Sequence, residues 1–127
     1  MPAGKIDFDT VRKIGLGLTG VEESTAYGSP ALKVRGKLLA CIPVNKSAEA
    51  GSLAVSVDFD QRAALLEEDP ATYYVTDHYA DYPIVLVRAS RIDRDRLRDL
   101  LNTAWRFVTS NTRNRAPRNN RRRAPKR

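Results

Sequence analysis

The first hydrophobic pattern in the chain has the spacing of an amphipathic helix. Its apolar positions are Phe8, Val11, Ile14 and Leu18. Asp7 or Asp9 can cap the free backbone N–H groups at the start, so the helix is predicted from there to Leu18. Gly20 can close it.

Two further segments have helical spacing. A short helix is predicted after Asp58 or Asp60, and Pro70 should end it because proline cannot continue a helix. The clearest helix follows Asp93 as its cap. Its apolar positions repeat at intervals of three and four residues and are Leu97, Leu100, Leu101, Ala104, Trp105 and Val108.

Between the helices, apolar residues alternate or run continuously, as they do in strands. Leu32 and Val34 alternate with Lys33 and Arg35, and Gly36 is placed to turn the chain back. The predicted strands are residues 32–35, 38–42, 53–57, 73–75 and 84–87. Short connections between consecutive strands favour antiparallel pairing. The predicted fold is therefore α+β, a single compact domain with an antiparallel sheet packed by helices in the order α-β-β-β-α-β-β-α.

The net charge of +7 is unevenly distributed along the 127 residues. Residues 1–108 carry 14 Lys and Arg against 15 Asp and Glu, whereas residues 109–127 carry 8 Lys and Arg and no acid. The last segment also lacks large apolar residues, so no buried core can offset the entropy of ordering it. We therefore predict one folded domain over residues 1–108 and a disordered, Arg-rich basic tail over residues 109–127.

The basic tail predicts a nucleic-acid partner, because a flexible polycation binds phosphates through counterion release. A role in solubility or on another anionic surface explains the same composition equally well. The predicted phosphate contacts are Arg113, Arg115, Arg118, Arg121, Arg122, Arg123, Lys126 and Arg127.

One cysteine, Cys41, lies in an apolar run, which favours a buried, unreactive thiol and excludes an internal disulfide. No signal sequence or membrane-spanning run is recognisable, and we expect a cytoplasmic protein. One histidine and one cysteine far apart cannot supply the ligands of a structural zinc site, so no metal is predicted. Gly15, Gly17 and Gly20 match a dinucleotide-binding motif. They follow a helix, whereas the motif requires a strand before its glycines, so a chance match is favoured.

Residues 73–83, with the sequence YYVTDHYADYP, contain the only histidine and four of the five tyrosines. Such clustering suits stacking against bases or a partner, and burial of the rings with satisfied polar groups explains it equally well. Asp77 and His78 suggest a catalytic dyad. Adjacent residues in an extended segment point to opposite faces, however, so we expect no catalysis from them.

A second set of candidate residues is basic. Lys33, Arg35 and Lys37, with Arg88, could meet phosphates from a β-hairpin. An ordinary solvated sheet face is the simpler interpretation, because the predicted domain is nearly neutral overall.

Several stretches together resemble the MmcQ/YjbR family of small bacterial proteins: GVEES at residues 20–24, YGSPALKVRGKLLA at 27–40, VDFDQRAALLEEDP at 57–70 and YYVTDHYADYPIVLVRASRID at 73–93. The resemblance covers about residues 7–108. It implies an α+β fold related to the frataxin-like one, a DNA-binding role and no enzyme activity. The characteristic positions it implies are Glu22, Tyr27, Gly28, Pro30, Lys33, Arg35, Gly36, Thr76, Asp77, His78, Tyr79, Tyr82, Pro83 and Arg88. The family often has an aromatic residue where this chain has Ile84, and the basic tail resembles an addition.

Two functions are consistent with these features. The first is a non-enzymatic nucleic-acid-binding protein without cofactors, in which the tail supplies affinity and the folded domain any selectivity. The second is a small-ligand or protein-binding module whose pocket is lined by Tyr27, His78, Tyr79 and Tyr82. A monomer is expected in either case.

Overall fold

The computed structural model describes residues 6–114, which form one six-stranded antiparallel sheet with helices packed against it. The spatial order of the strands is β1-β2-β3-β4-β6-β5, so β1 and β5 are its edges. The strands are β1 Val21–Ala26, β2 Ser29–Val34, β3 Lys37–Cys41, β4 Ser52–Ser56, β5 Tyr73–Tyr74 and β6 Ile84–Arg88. The α-helices are α1 Phe8–Gly15, α2 Phe59–Glu68 and α3 Arg94–Asn114, and a short 3-10 helix spans Asp77–Tyr79. The predicted α+β class is confirmed.

Each α-helix begins after an aspartate, as the sequence predicts. The Asp7 carboxylate accepts from the Thr10 amide at 3.1 Å, and Asp58 accepts from the Gln61 amide at 2.7 Å. Asp93 accepts in the same way from the Arg96 amide at 2.8 Å. These caps satisfy amide groups that have no partner inside the helix.

Two tight hairpins join β1 to β2 and β2 to β3. Their central residues are Tyr27 and Gly28 in the first turn, with φ of 55° and 81°, and Arg35 and Gly36 in the second, with φ of 54° and 79°. Two successive residues with positive φ characterise the type I′ turn, whose twist matches that of the strands. Tyr27 and Arg35 therefore occupy a conformation that Gly or Asn adopts at lower cost.

The two faces of the sheet are covered differently. On one face, α1 and α3 pack over an apolar core that includes Leu32, Val55, Val87 and Leu101. On the other face a smaller cluster forms around Ala31, Cys41, Ala54, Tyr79 and Leu86. No helix of the described residues is long and apolar enough to cross a membrane.

Helix α1 is shorter than predicted, because it ends at Gly15 instead of Leu18. A Cβ atom on Gly15 would lie 2.4 Å from Leu32 Cδ1, so glycine there lets the helix approach the sheet closely. Helix–sheet packing thus explains one glycine of the dinucleotide-type motif.

Three other predictions about local structure were wrong. Strand β1 was missed, so four strands precede α2 instead of three. Arg35 lies in a turn and does not extend the basic face of a strand. Helix α3 continues to Asn114, so residues 109–114 are helical where disorder was predicted. A helix that is already nucleated and packed gains one hydrogen bond for each residue it adds. The rest of the predicted tail, residues 115–127, lies outside the described residues.

Candidate ligand-binding cavity

A cavity of about 670 Å³ opens on the sheet face that lies away from α1 and α3. Its floor is apolar and comes from the sheet and its flanks: Leu38, Cys41, Ala54 and Ile84. One wall is the loop of residues 42–46, which follows β3. The aromatic residues of its lining are Tyr27, His78, Tyr79 and Tyr82. The predicted pocket residues are thus brought together, although they come from two distant parts of the chain.

The segment of residues 76–84 is folded tightly over the sheet. The Tyr79 amide donates to the Thr76 carbonyl at 3.0 Å, and the Tyr82 amide donates to the Tyr79 carbonyl at 3.0 Å. The His78 and Tyr79 rings meet edge to face, with centroids 4.7 Å apart and planes at 86°. Tyr79 is buried, whereas Tyr82 remains 54% exposed. The compact turn therefore holds one tyrosine in the sheet cluster and leaves another at the cavity mouth.

Arg62, on α2, fixes this turn. Its Nη1 donates to the carbonyls of Tyr82 at 2.9 Å, Ile84 at 3.3 Å and Tyr79 at 3.4 Å, and its Nη2 donates to the Ala80 carbonyl at 3.0 Å. Its guanidinium also lies 4.9 Å from the centroid of the Phe59 ring. A rigid fork of donors suits this bundle of carbonyl groups, and it adds a charged donor to the Tyr79 and Tyr82 carbonyls, which backbone amides already bond.

The loop between β3 and β4 is tied to the neighbouring segment by Glu49. Its carboxylate accepts from Arg88 Nε at 2.9 Å and Nη2 at 2.8 Å, and its amide donates to the Tyr74 hydroxyl at 2.8 Å. A further hydrogen bond of 2.8 Å joins the hydroxyls of Ser47 and Thr76. The pair with Arg88 lowers the pKa of Glu49 through its hydrogen bond and its charge. These contacts hold the loop as one wall of the cavity.

Arg88 is therefore a structural residue in this fold. Besides the bond to Glu49, its Nη1 donates to the carbonyls of Pro70 and Ala71 at 3.2 and 3.1 Å. Its guanidinium lies 4.3 Å from the centroid of the Tyr74 ring. These contacts occupy all three of its nitrogen atoms, so Arg88 is poorly placed for the phosphate contact predicted from the sequence.

The other predicted basic residues lie outside the cavity lining. Lys33 faces Glu22 across the β1–β2 ladder, which offsets its charge. Arg35 and Lys37 are exposed at the β2–β3 hairpin. Asp77 is exposed, and among the described residues no hydrogen bond or ion pair joins it to His78. The structure thus separates the predicted candidates into an aromatic cavity and a basic hairpin.

Burial changes the acidity of two groups in the cavity. It raises the pKa of the Cys41 thiol to about 11, with a small opposing effect from the charge of Lys33. It also raises the pKa of the Tyr79 hydroxyl, against a hydrogen bond from the Asn45 backbone. Both side chains therefore stay protonated near neutral pH, and Cys41 is a poor nucleophile.

Sequence reasoning missed Arg62 and the wall of residues 42–46. The wall carried a visible signal, because the apolar run of the strand predicted at residues 38–42 continues through Pro43 and Val44. Arg62 carried none, since its partners are backbone carbonyls that are 17 to 22 positions away in sequence. No group of three or more His, Cys, Asp or Glu residues placed to hold a metal ion occurs within residues 6–114.

The antiparallel sheet, with helices on one face and an aromatic cavity on the other, defines a small α+β domain with a preformed concave site. The chain belongs to the YjbR family, whose model matches residues 16–107. The expected resemblance is confirmed over most of the domain.

Comparisons with individual proteins agree with this assignment. A crystal structure of the Deinococcus radiodurans protein DR2400, described as a DUF419 domain, is similar with a TM-score of 0.68 and 18% identity, over 88% of this chain and 83% of that one. At this identity the likeness shows the fold alone. Uncharacterized protein Mb2600 of Mycobacterium bovis and uncharacterized protein Rv2570 of Mycobacterium tuberculosis are each 40% identical over 42 residues. Those matches span 33% of this chain and 33% of each relative, so about a third of the curated relatives' length is covered.

Proposed function

We propose that this protein binds a small molecule in the cavity under residues 76–84 and acts as a binding module instead of an enzyme. The observation that carries the proposal is the cavity itself, with its volume of about 670 Å³, apolar floor and aromatic mouth. Ligand sites are typically clefts of about 300–1,000 Å³ with mostly apolar walls and a few polar groups. The raised pKa of Cys41, to about 11, favours binding over nucleophilic chemistry.

The architecture around the cavity supports the same role. Arg62 fixes the turn over the sheet, and the bidentate pair between Glu49 and Arg88 fixes the opposite wall. A cavity held open by such contacts in the free protein loses little entropy when a ligand enters. Binding therefore does not require these loops to become ordered first.

A fluorescence titration with N-phenylnaphthylamine, a neutral aromatic probe that brightens in apolar surroundings, tests this proposal. We expect saturable binding and a rise in Tm with probe concentration, because a ligand that binds only the folded state stabilises it. Ala54→Met should fill the floor and weaken binding at least tenfold. Ala63→Met, the same change at an exposed position of α2, is the control.

Tyr82→Ala provides a second test that leaves the core intact, since this side chain is 54% exposed. We expect weaker probe binding with little change in Tm in the absence of probe. If the wild-type protein fails to bind the probe, or if Ala54→Met and Tyr82→Ala both bind it as well as wild type, the proposed cavity site is wrong.

Nucleic-acid binding is a second candidate, favoured by the 8 Lys and Arg of residues 109–127. Within the folded domain, Lys33 and Arg88 are opposite or paired with acids, so the affinity would rest on the terminal segment. Duplex DNA should be titrated over a range of salt concentrations with the full-length protein. The comparison is a full-length variant whose Lys and Arg in residues 115–127 are replaced by Gln.

We expect the wild-type affinity to fall steeply with salt, because each phosphate contact adds about 0.9 to the slope of log K against log salt. The Gln variant should lose most of both the slope and the affinity. Equal binding by the two proteins would indicate that the folded domain, and not the terminal segment, binds the DNA. Absence of binding by wild type at low salt would refute this second function.

A further inference from the structure

The cavity has an uneven distribution of polarity that restricts what it can bind. Leu38, Cys41, Ala54 and Ile84 make the inner surface apolar, and nothing in that set can hydrogen-bond a buried polar group strongly. Apart from the buried Tyr79, the aromatic side chains of the lining and the charged Lys46 are exposed at the mouth. A ligand with a charge at its centre would lose its hydration there without compensation, so the polar end of a ligand must face outward.

The rings at the mouth favour a flat ligand. The His78 and Tyr82 rings are tilted neighbours, with centroids 6.4 Å apart and planes at 43°, and together they form an aromatic rim at the opening. Tyr27, 92% exposed, lies at the same opening without covering it. Aromatic groups attract one another in offset or edge-to-face arrangements with centroids about 4.5–7 Å apart. A planar ring at the mouth can make such a contact with the exposed Tyr82 ring.

The charge at the mouth has one sign. Within the described part of the chain, Lys46 is the one fully charged residue that lines the cavity. No ion pair to its ammonium group occurs among the described residues. Asp77 and Asp81 belong to the same segment as the rings, but their side chains are exposed and do not line the cavity. Among the described residues, neither aspartate forms an ion pair with Lys46.

We propose that the ligand is a planar aromatic or heteroaromatic acid, whose ring system lies on the apolar floor against the aromatic rim while its anionic group faces Lys46. This inference rests on the proposed function, because it assigns a ligand class to the same cavity. It specifies the charge and the shape of the ligand, and it names Lys46 as the residue that determines selectivity. Lys46 is a positioning residue in this assignment, and the rings supply most of the affinity.

The charge is tested with two probes that share one ring system. Anilinonaphthalene sulfonate carries a sulfonate, and N-phenylnaphthylamine lacks it. We expect wild type to bind the sulfonate about fivefold more tightly at low salt, the effect of one exposed charge pair in water. Added salt should reduce this preference through screening. A rise in Tm with either probe confirms that the native state is what binds.

Lys46→Met should abolish the preference for the sulfonate, measured as the ratio of the Kd values of the two probes. Lys37→Met, which removes the same charge from the exposed hairpin nearby, should retain the preference. If wild type binds both probes equally, the anionic class is wrong and the cavity remains a ligand site. If the preference survives in Lys46→Met, the assignment of Lys46 is wrong. If neither probe binds, the proposed function itself fails.

The planar shape is tested by competition. Naphthoate and decanoate carry the same carboxylate but differ in having a flat ring system or a flexible chain. We expect naphthoate to displace anilinonaphthalene sulfonate at least tenfold more effectively, and Tyr82→Leu to reduce this advantage. Equal displacement by the two acids would assign the cavity to aliphatic acids and overturn the aromatic class.

Discussion

Replacing Tyr27 with Asn should make the protein more stable and at the same time weaken ligand binding in the cavity. Tyr27 lies in a type I′ turn with φ of 55°, where a non-glycine residue is strained. Asn relieves most of that strain, because its short side chain tolerates left-handed backbone, and we take the gain as about 1 kcal/mol. The Tyr27 side chain is 92% exposed, so less than a tenth of its surface of about 200 Å² is buried. Loss of that burial costs about 0.4 kcal/mol.

The net gain for Tyr27→Asn is therefore about 0.6 kcal/mol, which corresponds to a Tm increase of about 2–5 °C for a domain of this size. Calorimetry in the absence of ligand measures it. Titration with N-phenylnaphthylamine should then show affinity reduced about threefold to tenfold, because one aromatic contact at the mouth is lost.

Arg35→Asn is the matched control, since Arg35 occupies the same position of the next hairpin with φ of 54° and lies outside the cavity. It should raise Tm similarly and leave probe affinity unchanged. If both substitutions lower Tm, the reasoning from turn strain is refuted. If only Tyr27→Asn lowers it, the tyrosine ring stabilises the free protein through packing. Unchanged probe affinity in Tyr27→Asn would remove that residue from the site.

Three further outcomes follow from individual contacts. Arg62→Met should lower the free energy of unfolding by about 2–3 kcal/mol, since the carbonyls that Arg62 bonds lose a charged donor. It should also weaken probe binding. An effect no larger than that of Arg91→Met, at an exposed arginine, would contradict this prediction. The hydrogen bond from the Thr72 hydroxyl and the pairing with Arg96 lower the pKa of Asp69. Its stabilising effect should therefore be complete above the unfolded value of about 3.9 and be lost as the pH falls through the lower folded value. Thermal unfolding of wild type and Asp69→Asn should then differ at pH 6 and converge at pH 2, and a constant difference would refute the linkage. Cys41, with its pKa raised to about 11, should react with iodoacetamide at pH 8 about 100-fold more slowly than in urea, and equal rates would show that the thiol is accessible.

Most of the sheet and all three α-helices were predictable from their apolar residues. A helix or strand that buries one face repeats its apolar residues at the helical or the strand period. The long apolar stripe of α3, from Leu97 to Val108, and the aspartate before each helix are examples. Strand β1 escaped prediction because four consecutive residues between Val21 and Ala26 are polar. An edge strand with exposed side chains needs no apolar alternation, so its sequence resembles that of a loop.

The candidate site was predictable only in part. The clustering of tyrosines marked residues 73–83, and Tyr27 entered through the family resemblance. The cavity that joins them depends on tertiary structure, since Cys41 and Ala54 form its floor only after β3 and β4 pair. The role assigned to Arg88 reversed, because its guanidinium is surrounded by Glu49 and two carbonyl groups. A charged residue in a sequence does not reveal whether its partner is solvent, ligand or its own chain.

The polar side chains of β1 have a consequence for association between copies. An unpaired strand edge is a template on which a second chain can add, and natural proteins prevent this with charges on the edge. A second copy that added antiparallel along the whole of β1 would place Glu22 diagonally next to the copy's Glu23, and like charges on paired strands destabilise the pairing. We therefore expect the polar residues that hid β1 from a search for apolar alternation to disfavour pairing between copies along the longer of the two sheet edges.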